Sequence, residues 1–193
     1  MSKQGTSRRS VLVGSVAGLG SAWIATHWSG ILEAQEHAAR AVKSGQPQRL
    51  QYLSPEQAAE IESITAQIIP SDETPGAREA GSVHFIDRAL ATFDRESQAV
   101  YTQGLKDLEA KTREMFSGVS KFSALTGAQQ GQLLKSIERT PFFQQVRLHT
   151  VVGFFANPEY GGNADKIGWK LLGFEDKFNY QPPFGYYDAN KQA

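Results

Sequence analysis

Apolar residues recur along this chain at helical spacing, with no alternating strand pattern of useful length and no internal repeat. Ala58, Ile61, Ile64 and Ile68 lie three or four positions apart, which sets them on one face of a helix. Ser54-Pro55-Glu56-Gln57 supplies its start: a serine N-cap, a proline at the first helical position, and a glutamine placed to close a capping box. Pro70 ends it, because proline has no N–H to donate. A second helix begins around Gly81 and carries Val83, Ile86 and Leu90, with Phe93 at its end. A third runs from about Glu96 to Phe116, with Val100, Leu105, Leu108 and Met115 as its expected core stripe. Gly104 within it marks either a close crossing or a weak point. Thr126-Gly127-Ala128-Gln129 reads as another capping box, opening a short fourth helix with Leu133, Leu134 and Ile137. Thr140-Pro141 opens the fifth. Its apolar residues, from Phe142 and Phe143 through Val146, Val151 and Val152 to Phe154 and Phe155, fall on several faces, so this helix is expected at the centre of the domain. Pro158 ends it by disfavouring helical geometry at Asn157. The pattern predicts an all-α, compact bundle of about five helices with a long glycine- and aromatic-rich loop.

That loop is Asn157-Pro158-Glu159-Tyr160-Gly161-Gly162-Asn163, followed by Gly168-Trp169 and Leu172-Gly173-Phe174. Tyr160 and Trp169 need somewhere to bury most of their rings. Three readings fit Tyr160-Gly161-Gly162: a self-packed turn using positive φ at glycine, a bare backbone that a partner approaches, or a ligand cradle. Residues 166–172 read as a short helical turn carrying Trp169. The tail Tyr180-Gln181-Pro182-Pro183-Phe184-Gly185-Tyr186-Tyr187 forms no regular element of its own and wraps this domain or lies on a partner. A second loop, Ile69 to Ala77, holds Asp72 and Glu73. Two adjacent acids with no third nearby read as a solvated loop, and no metal site is expected.

The N-terminus changes the picture. Arg8-Arg9 precedes a run from Ser10 to Leu32, 23 residues without Asp, Glu, Lys or Arg, rich in glycine and alanine. A basic start followed by a mildly apolar stretch is an export signal, and the arginine pair resembles the twin-arginine type, which carries folded proteins. The run is near the length needed to span a bilayer, so cleavage and retention as a membrane tether both stay open. The expected organisation is a signal helix at 1–32, a polar linker at 33–51 broken at Ser44-Gly45-Gln46-Pro47, and a helical domain at 52–193.

Acids and bases balance at 20 each; three bases and no acid lie in the first 32 residues, leaving 17 bases against 20 acids. That is no footprint for nucleic acid. The absence of cysteine excludes disulfides, thiolate metal sites and a cysteine nucleophile. No nucleophile elbow, zinc-protease helix, phosphate loop or dinucleotide fingerprint is present. His84 and His149 are the histidines of the expected folded part, and His149 with Glu159 is the one acid–base pair that would suit a small enzyme. The other reading open to an isolated chain is a periplasmic, membrane-tethered binding module.

Four features together resemble the small subunit, subunit 3 or gamma, of gluconate 2-dehydrogenase and related flavin-dependent sugar dehydrogenases. They are Arg8-Arg9; Ile68-Ile69-Pro70-Ser71-Asp72-Glu73-Thr74-Pro75-Gly76-Ala77 before Gly81; the run Phe142-Phe143 to Phe155; and Asn157 to Asn163 with Gly168-Trp169. The resemblance implies a noncatalytic subunit of a periplasmic complex that carries the export signal for its partner and supports its maturation. The implied partners are a large FAD-holding subunit of the glucose–methanol–choline oxidoreductase type, a cytochrome c subunit with haem, and the twin-arginine translocase. This chain itself would bind no cofactor and hold no catalytic residue. Pro158, Glu159, Tyr160, Gly161, Gly162, Asn163 and Trp169 are the family block it carries, and they form the candidate partner interface.

Overall fold

The structure is a computed structural model that describes Thr26, His27, residues 49–177 and Asn179. The expected signal, apart from Thr26 and His27, most of the linker, and the aromatic tail from Tyr180 lie outside the described residues. Those residues form six helices and no strand: α1 (Pro55–Ile68), α2 (Ser82–Ala91), α3 (Gln98–Met115), α4 (Gly127–Ile137), α5 (Pro141–Phe155) and a short α6 (Ile167–Leu172), joined in part by 3-10 turns. The all-α bundle expected from the hydrophobic spacing is therefore present, with the predicted turn around Trp169 appearing as α6. Among the described residues no helix is long and apolar enough to cross a membrane.

The helix starts are those the sequence encodes. Ser54 accepts the Gln57 N–H at 3.2 Å and the Gln57 side chain accepts the Ser54 N–H at 2.9 Å. Thr126 and Gln129 repeat this reciprocal cap. Thr140 caps α5 ahead of Pro141.

Helix α5 lies at the centre, packed against α1, α2, α3 and α6. Ile61 and Ile64 of α1, Phe85, Ile86 and Leu90 of α2, and Phe142 and Val146 of α5 form one continuous core. Two contacts set how closely α5 is approached. A Cβ at Gly104 would stand 2.1 Å from the Phe142 ring, and one at Gly153 would stand 2.9 Å from Phe85. Gly104 therefore serves a close crossing of α3 over α5. The buried stripe of α3 is Tyr101, Gly104, Leu108 and Thr112, where the apolar pattern predicts Val100, Leu105, Leu108 and Met115; Val100, Leu105 and Met115 sit at the core's edge. The stripe is displaced because a tyrosine and a threonine with satisfied hydroxyls occupy it. The Thr112 hydroxyl donates to the Leu108 carbonyl at 2.7 Å.

The chain entering α1 is held by one carboxylate. Asp87 on α2, 3% exposed, accepts the backbone N–H groups of Gln51, Tyr52 and Leu53 at 2.7, 2.9 and 2.8 Å. Removing it strands three donors, that of Leu53 buried and those of Gln51 and Tyr52 partly buried. Asp87→Ala is expected to cost about 3 kcal/mol in urea-unfolding stability and to speed hydrogen exchange at residues 51–53. Unchanged exchange there would show that the clasp is dispensable.

Candidate functional site

The candidate site is built at the end of α5. An α-helix leaves its last carbonyls without intrahelical partners, and α5 has no basic residue in its last turn to answer them. The Val152 carbonyl is taken by the Ala156 N–H at 2.8 Å. The next four are met by the glycine loop and α6. A Cβ on Gly162 would stand 2.2 Å from the Gly153 carbonyl oxygen, and one on Gly168 would stand 2.0 Å from that of Phe154. With glycine in place, a Cα hydrogen points at each oxygen, the arrangement of a weak C–H···O contact. The Trp169 indole N–H donates to the Phe155 carbonyl at 2.8 Å, and the Asn163 amide donates to that of Ala156 at 2.8 Å.

Asn163 also accepts the Gly168 N–H at 2.7 Å, so one fully buried side chain ties the start of α6 to the end of α5. Its backbone is left-handed, φ 48°, a conformation asparagine tolerates better than most residues. Gly161 takes φ 98° against the backbone of His84. Two further ties hold the loop to α2 and the turn before it: Arg88 donates to the Glu159 carbonyl at 2.8 Å, and the Ala164 N–H donates to the Ala80 carbonyl at 3.0 Å.

The self-packed reading of Tyr160-Gly161-Gly162 is thus the arrangement observed. Gly161, Gly162 and Asn163 are buried within this chain, whereas Pro158, Glu159, Tyr160 and Trp169 are half-buried. Phe174 packs edge-on to Trp169, ring centroids 5.2 Å apart, and is 51% exposed. The loop from Ile69 to Ala77 treats α1 in the same way. The Ala77 N–H donates to the Ile69 carbonyl at 2.8 Å, and a Cβ on Gly76 would stand 2.5 Å from that oxygen. Asp72 accepts the Thr74 N–H and hydroxyl within this loop, at 3.0 and 3.1 Å.

His149 is enclosed. Its Nε2 lies 2.8 Å from Asp94 Oδ2 and its Nδ1 2.9 Å from the Tyr101 hydroxyl; the three side chains are between 0 and 1% exposed. Gln145 also donates to Asp94, at 3.1 Å. Burial by itself would raise the Asp94 pKa, but hydrogen bonding and charge from His149, with smaller help from Ser97 and His27, bring it below the ordinary value. Burial first, and then the Asp94 charge, push the Tyr101 phenol well above its ordinary value. With Asp94 ionised, the His149 Nε2–H donates to it, while Nδ1 pairs with the Tyr101 hydroxyl. The carboxylate hydrogen-bonded to His149 is Asp94, so His149 is a satisfied core histidine and the alternative acid–base pair with Glu159 is not the one formed here. A phenol held protonated in a sealed interior is no nucleophile.

His84 is half-buried beside the glycine loop, and burial lowers its pKa, opposed by the charges of Asp87 and Glu62. His27, expected in the export segment, reaches the folded domain, with Nε2 3.3 Å from Glu96 Oε1 and 3.9 Å from Asp94 Oδ1. These three carry the ligand types of a divalent-cation site, with ligand atoms within 4.8 Å of one another, although Asp94 is already committed to His149. Sequence reasoning found the glycine loop but missed Asp94 and Tyr101. The available signal was Tyr101's helical spacing from Leu108.

A family sequence model described as gluconate 2-dehydrogenase subunit 3 matches residues 55–176, well over half of the 193-residue chain. The chain belongs to that family. Searches of curated proteins and of solved structures return no match. Membership in this subunit 3 family implies a multisubunit dehydrogenase complex. The matched span begins at α1 and ends just past α6, so it takes in both loops that cover helix ends.

Two measurements test this geometry. Gly162→Ala pushes a methyl group into the Gly153 carbonyl and is expected to cost about 3 kcal/mol in urea unfolding; a loss under about 1 kcal/mol would mean the loop shifts freely. Asp94 has a folded-state pKa below its ordinary 3.8. The stability it contributes is therefore full above pH 3.8 and is lost as pH falls through the lower folded-state value. The stability gap between wild type and Asp94→Asn should close on acidification through that range, and a gap that stays constant would contradict the ionised pair.

Proposed function

We propose that this chain is the noncatalytic small subunit of a periplasmic, FAD-dependent dehydrogenase complex of the glucose–methanol–choline type, acting on CH–OH groups of a sugar or sugar acid. In this reading the twin-arginine signal at Arg8-Arg9 takes the folded large subunit across the membrane together with this chain, and the helical domain supports that subunit's maturation or stability. FAD belongs to the large subunit and haem to a cytochrome c subunit. The family match over residues 55–176 carries the reading.

The arrangement of the site agrees with it. His149 is sealed among Tyr101, Asp94 and Gln145, which gives a substrate no approach to the imidazole and does not favour a small enzyme. The inward half of the family block is occupied in closing α5. The half-exposed Pro158, Glu159, Tyr160 and Trp169, with the exposed Phe174 beside them, form the partner surface. Aromatic side chains of this kind commonly anchor interfaces.

The test is cell fractionation followed by purification of the tagged chain. From wild-type periplasm it should bring down a much larger protein with flavin absorbance; a lone colourless chain would overturn the subunit reading. Arg8→Lys with Arg9→Lys should leave both proteins in the cytoplasm. A large subunit that still reaches the periplasm would overturn shared export.

A further inference from the structure

A second surface lies away from the glycine loop, alongside the N-terminal half of α5. The end of α1, the outer part of α4 and the start of α5 enclose an open groove of about 350 Å³. Ile68, Leu134 and Phe143 line it, and Lys135 and Arg147 supply two cations. Leu134 is buried, and Ile68, Phe143 and Arg147 are half-buried. Neither Lys135 nor Arg147 meets a hydrogen-bond acceptor or a carboxylate among the described residues. Some surface cations are paired, such as Lys111 with Glu114, Arg113 with Glu109 and Lys166 with Asp176; Lys135 and Arg147 stand instead beside the apolar lining of Ile68, Leu134 and Phe143. Glu138 also lines the groove without closing an ion pair to either cation. On the α4 side the groove is bordered by Gly131, where an added Cβ would meet nothing within 4 Å.

From this arrangement we infer that the groove docks an acidic residue, flanked by an aliphatic side chain, from the larger subunit of the dehydrogenase complex. This rests on the reading of the chain as a complex subunit. Two unpaired cations beside an apolar lining favour one carboxylate with a hydrophobic neighbour, and burying that pair desolvates and strengthens it. Glu138 works against a run of acids, since a second carboxylate would face a like charge. The volume suits one or two side chains and not a whole helix face. Gly131 leaves the space open, where a larger residue on the same turn of α4 would narrow it.

The test uses the purified complex of the full chain with its large subunit. A zero-length carbodiimide, which joins an amine to a touching carboxylate, should link Lys135 to an aspartate or glutamate of the large subunit with an aliphatic residue beside it. Lys135→Glu with Arg147→Glu should raise the dissociation constant at least about tenfold and weaken its dependence on salt. Gly131→Trp should raise it similarly by filling the groove, while the thermal melting of the free chain stays near wild type. Unchanged affinity in both variants, or Lys135 linked solely within its own chain, would overturn the groove while leaving the subunit reading intact. Failure of the wild-type chain to form any complex would overturn the subunit reading and the groove with it. Glutarate serves as a free small-carboxylate probe. If it stabilises the full chain, Gly131→Trp abolishes that effect, and complex affinity does not change, the groove is a small-molecule site and the docking proposal is wrong.

Discussion

The buried C-terminus of α5 is the constraint on which the rest of this structure depends. A central helix packed on four others must end inside the protein, where its last carbonyls are cut off from water and carry the negative end of the helix dipole. Most helices answer this with a terminal glycine, a lysine or solvent. Here neither α1 nor α5 has a basic residue in its last turn, and each is closed by a returning loop. For α5 the loop brings Gly162, Asn163, Gly168 and Trp169 to four successive carbonyls. For α1 the loop brings Gly76 and Ala77 to the Ile69 carbonyl. Glycine is required at 76, 162 and 168 because a carbonyl oxygen stands where a Cβ would be.

Polar groups inside the bundle follow the same logic. Asp87 gathers three backbone donors, and His149 is answered on both ring nitrogens by Asp94 and Tyr101. Each is a buried group whose isolation would be costly and whose partners leave it satisfied. Tyr101, His149 and Asp94 resemble a catalytic relay in composition, but enclosure and a raised phenol pKa make them a fixed internal link. That link joins α3, α5 and the turn before α3. A histidine and a carboxylate at hydrogen-bonding distance acquire chemistry only when a reacting group can reach them.

For a subunit of a dehydrogenase complex this division of labour is economical in structure. The residues that set the family block apart in sequence are drawn inward, so they shape the domain before they can shape an interface. In the proposed reading, what is left to meet a partner is the outer rim of that block, with Tyr160, Trp169 and Phe174, and the groove that carries Lys135 and Arg147. The two surfaces lie toward opposite ends of α5, and a large partner could engage both.

Much of this was legible in the sequence, because helices are local. Apolar spacing, Ser54 with Gln57, Thr126 with Gln129, and Pro70, Pro141 and Pro158 located α1, α4 and α5 through contacts no more than a turn apart. The mixed apolar faces of α5 likewise showed that it would be central. The two glycine-bearing loops stood out, but their purpose did not, since it depends on carbonyls that the loop reaches only after the chain has folded back. The stripe of α3 departs from the apolar pattern partly for the same reason: the Tyr101 hydroxyl finds His149 only after folding, whereas Thr112 is satisfied within its own helix by the Leu108 carbonyl. Glu159 is the acid near His149 in sequence, whereas Asp94, 55 positions earlier, is the carboxylate beside it in space. Local hydrogen bonding and periodicity are written in neighbouring residues. Which buried polar groups satisfy one another is decided by tertiary packing, since a desolvated donor or acceptor takes its partner from whatever distant segment the fold places beside it.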